Sequence, residues 1–165
     1  MAHRRLVVWI HSRRYPTWSI PPETLRRLDD IAGPGWDVES IEIEARAAGD
    51  GVSGVPETVL AAVEDAEIYF GFGVPGEIVR RGRALRWVHS AAAGVRSSLE
   101  GPLGDPASEI LFTNSAGIYG PPLAEWAIGA MLFFARGFDV VTSTDEPWPY
   151  DAMAATGHPL RELAG

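Results

Sequence analysis

The 165 residues include no cysteine, which removes disulfides, thiolate zinc centres and a cysteine nucleophile from consideration. Long hydrophobic runs are missing too. The ten-residue apolar stretch WAIGAMLFFA, residues 126–135, falls well short of the ~20 residues a membrane-spanning helix needs. Positive charge is scarce: the net charge is −8, and the local excess at Arg80, Arg81, Arg83 and Arg86 is offset nearby by Glu77. Neither a nucleic acid nor a membrane is therefore an expected partner. At the start, MAHRRLVVWI has an apolar run of only five residues and no small-residue cleavage site after it. A secretory leader is not expected, and the cytoplasm is the expected compartment. There is no polar repeat, and 46% of residues are hydrophobic against 22% charged, a balance that belongs to ordered globular chains.

What is present is an alternation of short apolar runs with helical patterns. Residues 6–10 (LVVWI), 67–71, 85–89 and 110–113 are apolar enough to be buried on both faces, as strands inside a parallel sheet are. Residues 37–44 instead alternate, Ile41 and Ile43 against Glu42 and Glu44, which predicts an edge strand with one wet face. Between these runs, Pro21-Pro22-Glu23 opens a helix through Ala32, Pro56-Glu57 opens a second, and Pro75-Gly76-Glu77 a third that ends at Gly82. Residues 45–54 read as loop. Five strands alternating with helices predict an α/β fold, a parallel sheet covered on both faces, and right-handed crossovers favour the flavodoxin-like strand order 2-1-3-4-5.

The chain is organised around residues 110–137. A strand ends at Asn114, turn formers follow, Pro121 and Pro122 suit a first helical turn, and a helix runs on through residues 123–138. Apolar residues fill nearly its whole circumference, so it is expected to be buried on more than one side. Residues 1–120 are read as one domain, and 121–165 as an interdomain helix followed by an aromatic arm, Pro147-Trp148-Pro149-Tyr150.

In an open parallel sheet, ligands bind beyond the carboxyl ends of the strands. The loop at residues 71–76, GFGVPG, fits G-x-G-x-x-G after a strand. Pro75 removes a donor where pyrophosphate should sit, and the next strand ends in His89-Ser90 where an acid should grip the ribose, so the loop is read as a decoy. Ser90-Ala91-Ala92-Ala93-Gly94-Val95 is a run of small residues after a buried strand; it fits close backbone approach to an anion as well as it fits tight packing. His11 and His89 have no carboxylate partner in sequence and are read as satisfied or partly exposed side chains. Asn114 is read as a turn former bonding its own backbone. Glu125 complements a helix N-terminus, and Arg136 caps the other end.

Taken in succession, Leu85-Arg-Trp-Val-His-Ser-Ala-Ala-Ala-Gly-Val95, Ile110-Leu-Phe-Thr-Asn114, Leu123-Ala-Glu-Trp-Ala-Ile128 and Phe134-Ala-Arg136 resemble the D-isomer-specific 2-hydroxyacid dehydrogenases, in the glyoxylate/hydroxypyruvate reductase-like branch. The resemblance implies a two-domain oxidoreductase, dependent on NAD or NADP, that interconverts small 2-oxo acids and D-2-hydroxy acids. Its flavodoxin-like substrate domain comes first, with a Rossmann domain after it. It further implies that Ala92, Ala93, Gly94 and Val95 present backbone amides to the substrate carboxylate, and that Asn114, Glu125 and Arg136 lie on the interdomain segment. One departure is local: Gly94-Val95-Arg96 stands where the family reads Gly-Val-Asp, so the following short helix lacks its usual acidic cap.

The family's catalytic Arg, Glu and His fall beyond this chain, so no catalytic residue is assigned. This chain alone is expected to bind no dinucleotide, to be inactive, and to pair with a Rossmann half or with a second copy as a homodimer. The alternative is a free-standing flavodoxin-like binding or interaction module. A phosphoacceptor receiver would need acids where His11-Ser12 and Gly71-Phe72 stand, and a flavodoxin would need a Ser/Thr-rich phosphate loop where Arg13-Arg14-Tyr15-Pro16 stands.

Overall fold

The computed structural model describes residues 4–48, 50–143, 145, 151, 154, 157 and 161–162. The chain divides into two compact units, Met1–Gly117 and Ile118–Gly165. The first holds five parallel strands: β1 (Arg4–Trp9), β2 (Trp36–Ser40), β3 (Ile68–Gly71), β4 (Trp87–Ser90) and β5 (Leu111–Asn114), ordered β2-β1-β3-β4-β5. This is the flavodoxin-like order, with the alternating strand at one edge; β5 is the other edge and none of its residues is buried, so residues 110–113 are not the doubly buried inner strand that their apolar run suggested.

Side chains one apart along a strand face opposite ways, so each strand supplies both faces. Val7 and Trp9 of β1, Tyr69 of β3 and Val88 of β4 form one buried cluster with Val59 and Val63 of α2 (Glu57–Val63) and Ile78 of α3 (Gly76–Arg81). On the opposite face, Leu6, Ile68, Phe70, Trp87 and His89 meet Leu28, Ile31 and Ala32 of α1 (Pro22–Ala32), around a cavity of about 420 Å³. Helix α1 ends at Gly33, whose φ of 80° suits a residue without Cβ.

Two local expectations need correcting. The second strand stops at Ser40 and does not run to residue 44; the chain stays beside β1 through the Ile41 N–H to Val8 carbonyl and Ala45 N–H to His11 carbonyl bonds, each 2.9 Å. The stretch read as loop contains a hairpin, Ala47–Ala48 paired antiparallel with Gly51–Val52, too short to leave any alternation in sequence. Beyond β4 lies the four-residue helix α4 (Arg96–Leu99).

In the second unit, α5 (Gly120–Ala135) takes Pro121 and Pro122 in its first turn, and Gly137, at φ 67°, separates it from α6 (Phe138–Thr142). The expected single helix is therefore broken near its end. None of its residues is buried, and Leu123, Trp126, Ile128, Met131, Leu132 and Phe134 are exposed. Their apolar character runs round the helix, so no single neighbour could cover them all. The expected arm at residues 147–150 lies outside the described residues.

Candidate functional site

The pairing register draws the site's floor. Trp9 pairs with Gly71, Gly71 with Ser90, and Ser90 with Asn114, so one row crosses four strands at their carboxyl ends. The loops that leave this row are the places where the fold can hold a ligand.

The 71–76 loop is filled from inside. A Cβ on Gly71 would run into the Tyr69 ring tip, hydroxyl first. Gly73 has a φ of 83°, and its Cβ would lie 2.5 Å from Gly51 Cα of the hairpin. A Cβ on Gly76 would lie 3.1 Å from both the Arg80 guanidinium and Pro102. The donors are engaged as well: Gly73 N–H donates to Ser90 Oγ at 3.1 Å and Val74 N–H to Ser98 Oγ at 3.0 Å, both serines being buried. A pyrophosphate needs free amides and open glycine faces, and the residues of this loop do not fit one. Tyr69 itself is fully buried; its hydroxyl finds no hydrogen-bond partner among the described residues, and burial pushes its phenol above the usual range.

The 90–95 loop is held from beneath and from both sides. Ser90 Oγ, already the acceptor for Gly73, accepts a second bond from Ala92 N–H at 3.1 Å. Ala92 is buried, whereas Ala93 and Gly94 are exposed and Val95 half-buried. Asn114, at the end of β5, donates through Nδ2 to the Ala93 carbonyl at 2.7 Å. The sequence reading gave Asn114 a bond to its own backbone; the structure gives it a neighbouring loop, because the register sets Asn114 beside Ser90. A trans peptide points its C=O and N–H in opposite directions. Anchoring the Ala93 carbonyl on Asn114 therefore turns the Gly94 N–H away from Asn114.

Gly94 does not have the positive φ that its glycine invites. Its missing side chain makes room for Asp50: a Cβ there would lie 2.5 Å from Asp50 Cβ and 3.2 Å from Oδ2. The Asp50 carboxylate accepts from Ser97 N–H at 3.2 Å through either oxygen. Its pKa is held below the usual value, first by the Ser97 hydroxyl and then by the amides of Ser97, Asp50 itself and Arg96. The acid absent at position 96 is thus supplied from the hairpin, 46 residues earlier in the chain.

On the loop after β1, Glu44 accepts from Arg13 N–H at 2.6 Å and Ser12 Oγ–H at 2.8 Å; these bonds hold its carboxyl below the ordinary range. They also fix the first loop, where Trp18 stacks on Phe72 with centroids 5.7 Å apart. His89 Nδ1 lies 2.8 Å from Thr113 Oγ1, which accepts from Trp87 Nε1–H; partial burial lowers the His89 pKa. Glu125 and Arg136 belong to the second unit. With α5 starting at Gly120, Glu125 sits in the second turn, too far along to complement the free amides, and it is exposed; Arg136 is the C-cap, its N–H on the Leu132 carbonyl at 2.9 Å.

Sequence reasoning missed Asp50, Ser98 and Thr113. The available signal for Asp50 was Arg96, since a short helix without an acid of its own draws one from elsewhere. Among the described residues there is no cluster of metal-ligating side chains, and no helix is long and apolar enough to cross a membrane.

No protein-family model and no curated protein matches the chain. Among solved structures, it is similar to the NAD+-bound 3-phosphoglycerate dehydrogenase of Entamoeba histolytica, with a TM-score of 0.54 and 23% identity over 83% of this chain and 41% of that one. The chain spans about two fifths of the length of the dehydrogenase it matches, and at this identity the likeness is one of fold.

Proposed function

We propose that the chain is the substrate-holding part of an NAD(P)-dependent D-2-hydroxyacid dehydrogenase, with residues 1–120 as the substrate domain and the 121–165 segment as its link to a cofactor half outside these residues. The observation that carries the reading is the 90–95 loop: exposed backbone at Ala93 and Gly94, on the rim of a parallel sheet, pinned by Ser90 below and Asn114 beside it. Such a loop offers preorganised N–H donors to a small carboxylate. The reaction would move a hydride from reduced nicotinamide to the carbonyl carbon of a 2-oxo acid and a proton to its oxygen. This chain's part is to bind and orient the carboxylate end, since the 71–76 loop does not fit a dinucleotide. The exposed apolar residues of α5 are then a surface for the cofactor half or for a second copy, each Å² covered being worth about 25 cal/mol.

Amide spectra of the labelled chain, titrated with oxamate, test the reading. Binding by a few backbone donors is expected on the order of millimolar, with shifts centred on Ala93, Gly94 and Val95, and Gly94→Val is expected to abolish it. In the assembled enzyme the same variant raises KM for small 2-oxo acids. Calorimetry with NADH and NADPH is expected to give no heat. Micromolar dinucleotide binding, or an oxamate response elsewhere, overturns the proposal.

A further inference from the structure

We infer that Asp50 is a positioning residue for the substrate loop: from the tip of the 47–52 hairpin its carboxylate latches residues 94–97, and the latch sets the shape in which Ala93 and Gly94 meet a carboxylate. The inference rests on the preceding reading of that loop as the carboxylate site.

Three independent contacts converge on the latch. The Asp50 carboxylate accepts from Ser97 N–H at 3.2 Å through either oxygen. Gly94 gives up a side chain at the point where Asp50 Cβ passes, so loop and hairpin lie in backbone-to-side-chain contact. Gly51, the next hairpin residue, is buried, and its own Cβ position falls 2.8 Å from Ser97 Oγ and 3.9 Å from Gly73 Cα. The hairpin therefore seats on Gly73, Gly94 and Ser97 together, in room left by the missing side chains at 73 and 94.

The other end of the substrate loop is fixed independently. Ser90 and Asn114 hold residues 92 and 93 from within the sheet. From Gly94 to Ser97 the described hydrogen bonds give no such support from the sheet, which is met again at Ser98: the N-cap of α4 is Val95, whose side chain accepts nothing, and Arg96 puts a positive charge where the first helical turn favours a negative one. Asp50 supplies the missing acceptor and the missing charge in one group. Without it, residues 94–97 keep, among the described hydrogen bonds, sequence-local ones alone, and the Gly94–Val95 peptide, next after the one that Asn114 pins, loses its fixed direction. Asp50 does not touch the substrate in this scheme; it acts through Gly94 and Ser97.

The test compares wild type, Asp50→Ala, Asp50→Asn and the double variant Asp50→Ala/Arg96→Asp, using backbone amide exchange and oxamate titration. Asp50→Ala is expected to speed exchange at Ser97 and Arg96 about tenfold, to shift the Gly94 resonance and to weaken oxamate about tenfold. Protection at Gly73 and Val74, which serve as the internal control, stays as in wild type. Asp50→Asn keeps an acceptor oxygen but not the charge and falls between the two. In the double variant the acid returns to the first turn of α4, and oxamate affinity recovers to within about threefold of wild type. Wild-type exchange at Ser97 in Asp50→Ala overturns the latch; so does failure of the relocated acid to restore oxamate binding when Ser97 protection has returned. Should Asp50→Ala unfold, Asp50→Asn and the double variant still decide. If the wild type shows no oxamate response while exchange at Ser97 obeys Asp50, the carboxylate site falls and the latch stands.

Discussion

Two loops leave adjacent strands of the same sheet, one rich in glycine and the other in alanine, and they do opposite things with their backbone. The 71–76 loop, which carries the G-x-G-x-x-G spelling, turns inward: its amides at 73 and 74 end on buried serines, and each of its glycines is the mould of a neighbour. The 90–95 loop carries no fingerprint, yet its middle is exposed, and the Ala93 carbonyl anchored on Asn114 turns the next amide away from that side chain. A glycine records that something comes close; whether that is a ligand or the rest of the protein depends on where the donors already point. Here Ser90 joins the two loops, since a single hydroxyl oxygen accepts from Gly73 and from Ala92.

The contrast is sharpest between Gly73→Ala and Gly94→Ala. At 73 the new Cβ meets backbone 2.5 Å away, on a residue with φ of 83°, so strain and overpacking add, and about 3 kcal/mol or more of folding stability is expected to go. At 94 the obstacle is the Asp50 side chain and φ is ordinary; the loss expected in urea denaturation is less than half as large, while oxamate binding suffers more than at 73. Equal losses would erase the distinction between an inward and an outward loop. Next in size is Ser90→Ala. It strips the acceptor from two amides in a fully buried site and is expected to cost about 2 kcal/mol, with Gly73 and Ala92 both losing protection from exchange. A loss confined to Ala92 would mean that the loops are not coupled through Ser90.

The fold was the legible part. Apolar runs at residues 6–10, 67–71 and 85–89 cannot be surface strands, and once they alternate with helices the crossover rule leaves few orders. The rim was legible as a set of loops, and the weakness of the glycine fingerprint was visible in Pro75. Less accessible were contacts between residues far apart in sequence. Nothing near Asp50 marks it as the partner of Gly94, because a two-residue strand has no period to detect. Glycine at 94 fitted close approach to an anion as well as tight packing without naming Asp50 as the neighbour, and Asn114 suggested self-bonding when register placed it beside another loop. The partners of Gly94 and Asn114 depend on how distant segments come together, which composition does not encode.

Two smaller effects refine the comparison. Asn114→Ala removes a single bond at the loop's edge and is expected to cost about 1 kcal/mol or less, yet to broaden the Ala93 and Gly94 resonances; unchanged resonances would show that Ser90 alone sets the loop. Smallest is a pH effect from the strand beneath. Burial depresses the His89 pKa below its usual value of 6.5, so the neutral form is favoured on folding. Its contribution is present above pH 6.5 and is lost as pH falls through the lower, folded value. His89→Gln is expected to flatten that part of the stability profile, and a slope that survives the substitution would assign it elsewhere.

Tyr69 and Gly71 carry a consequence for how such a sequence can change. The tip of the ring occupies the volume a side chain at 71 would need, the ζ carbon lying 2.5 Å from the Cβ position, so trimming the hydroxyl alone, as phenylalanine would, does not clear the way. A residue larger than glycine is admitted at 71 only after position 69 has shrunk to something like valine, and that first step opens a cavity which the second partly refills. Alanine at 71 therefore requires the Tyr69 ring to shift or to be replaced first. The first glycine of the apparent nucleotide signature is, in this chain, the space taken by an aromatic ring two residues away.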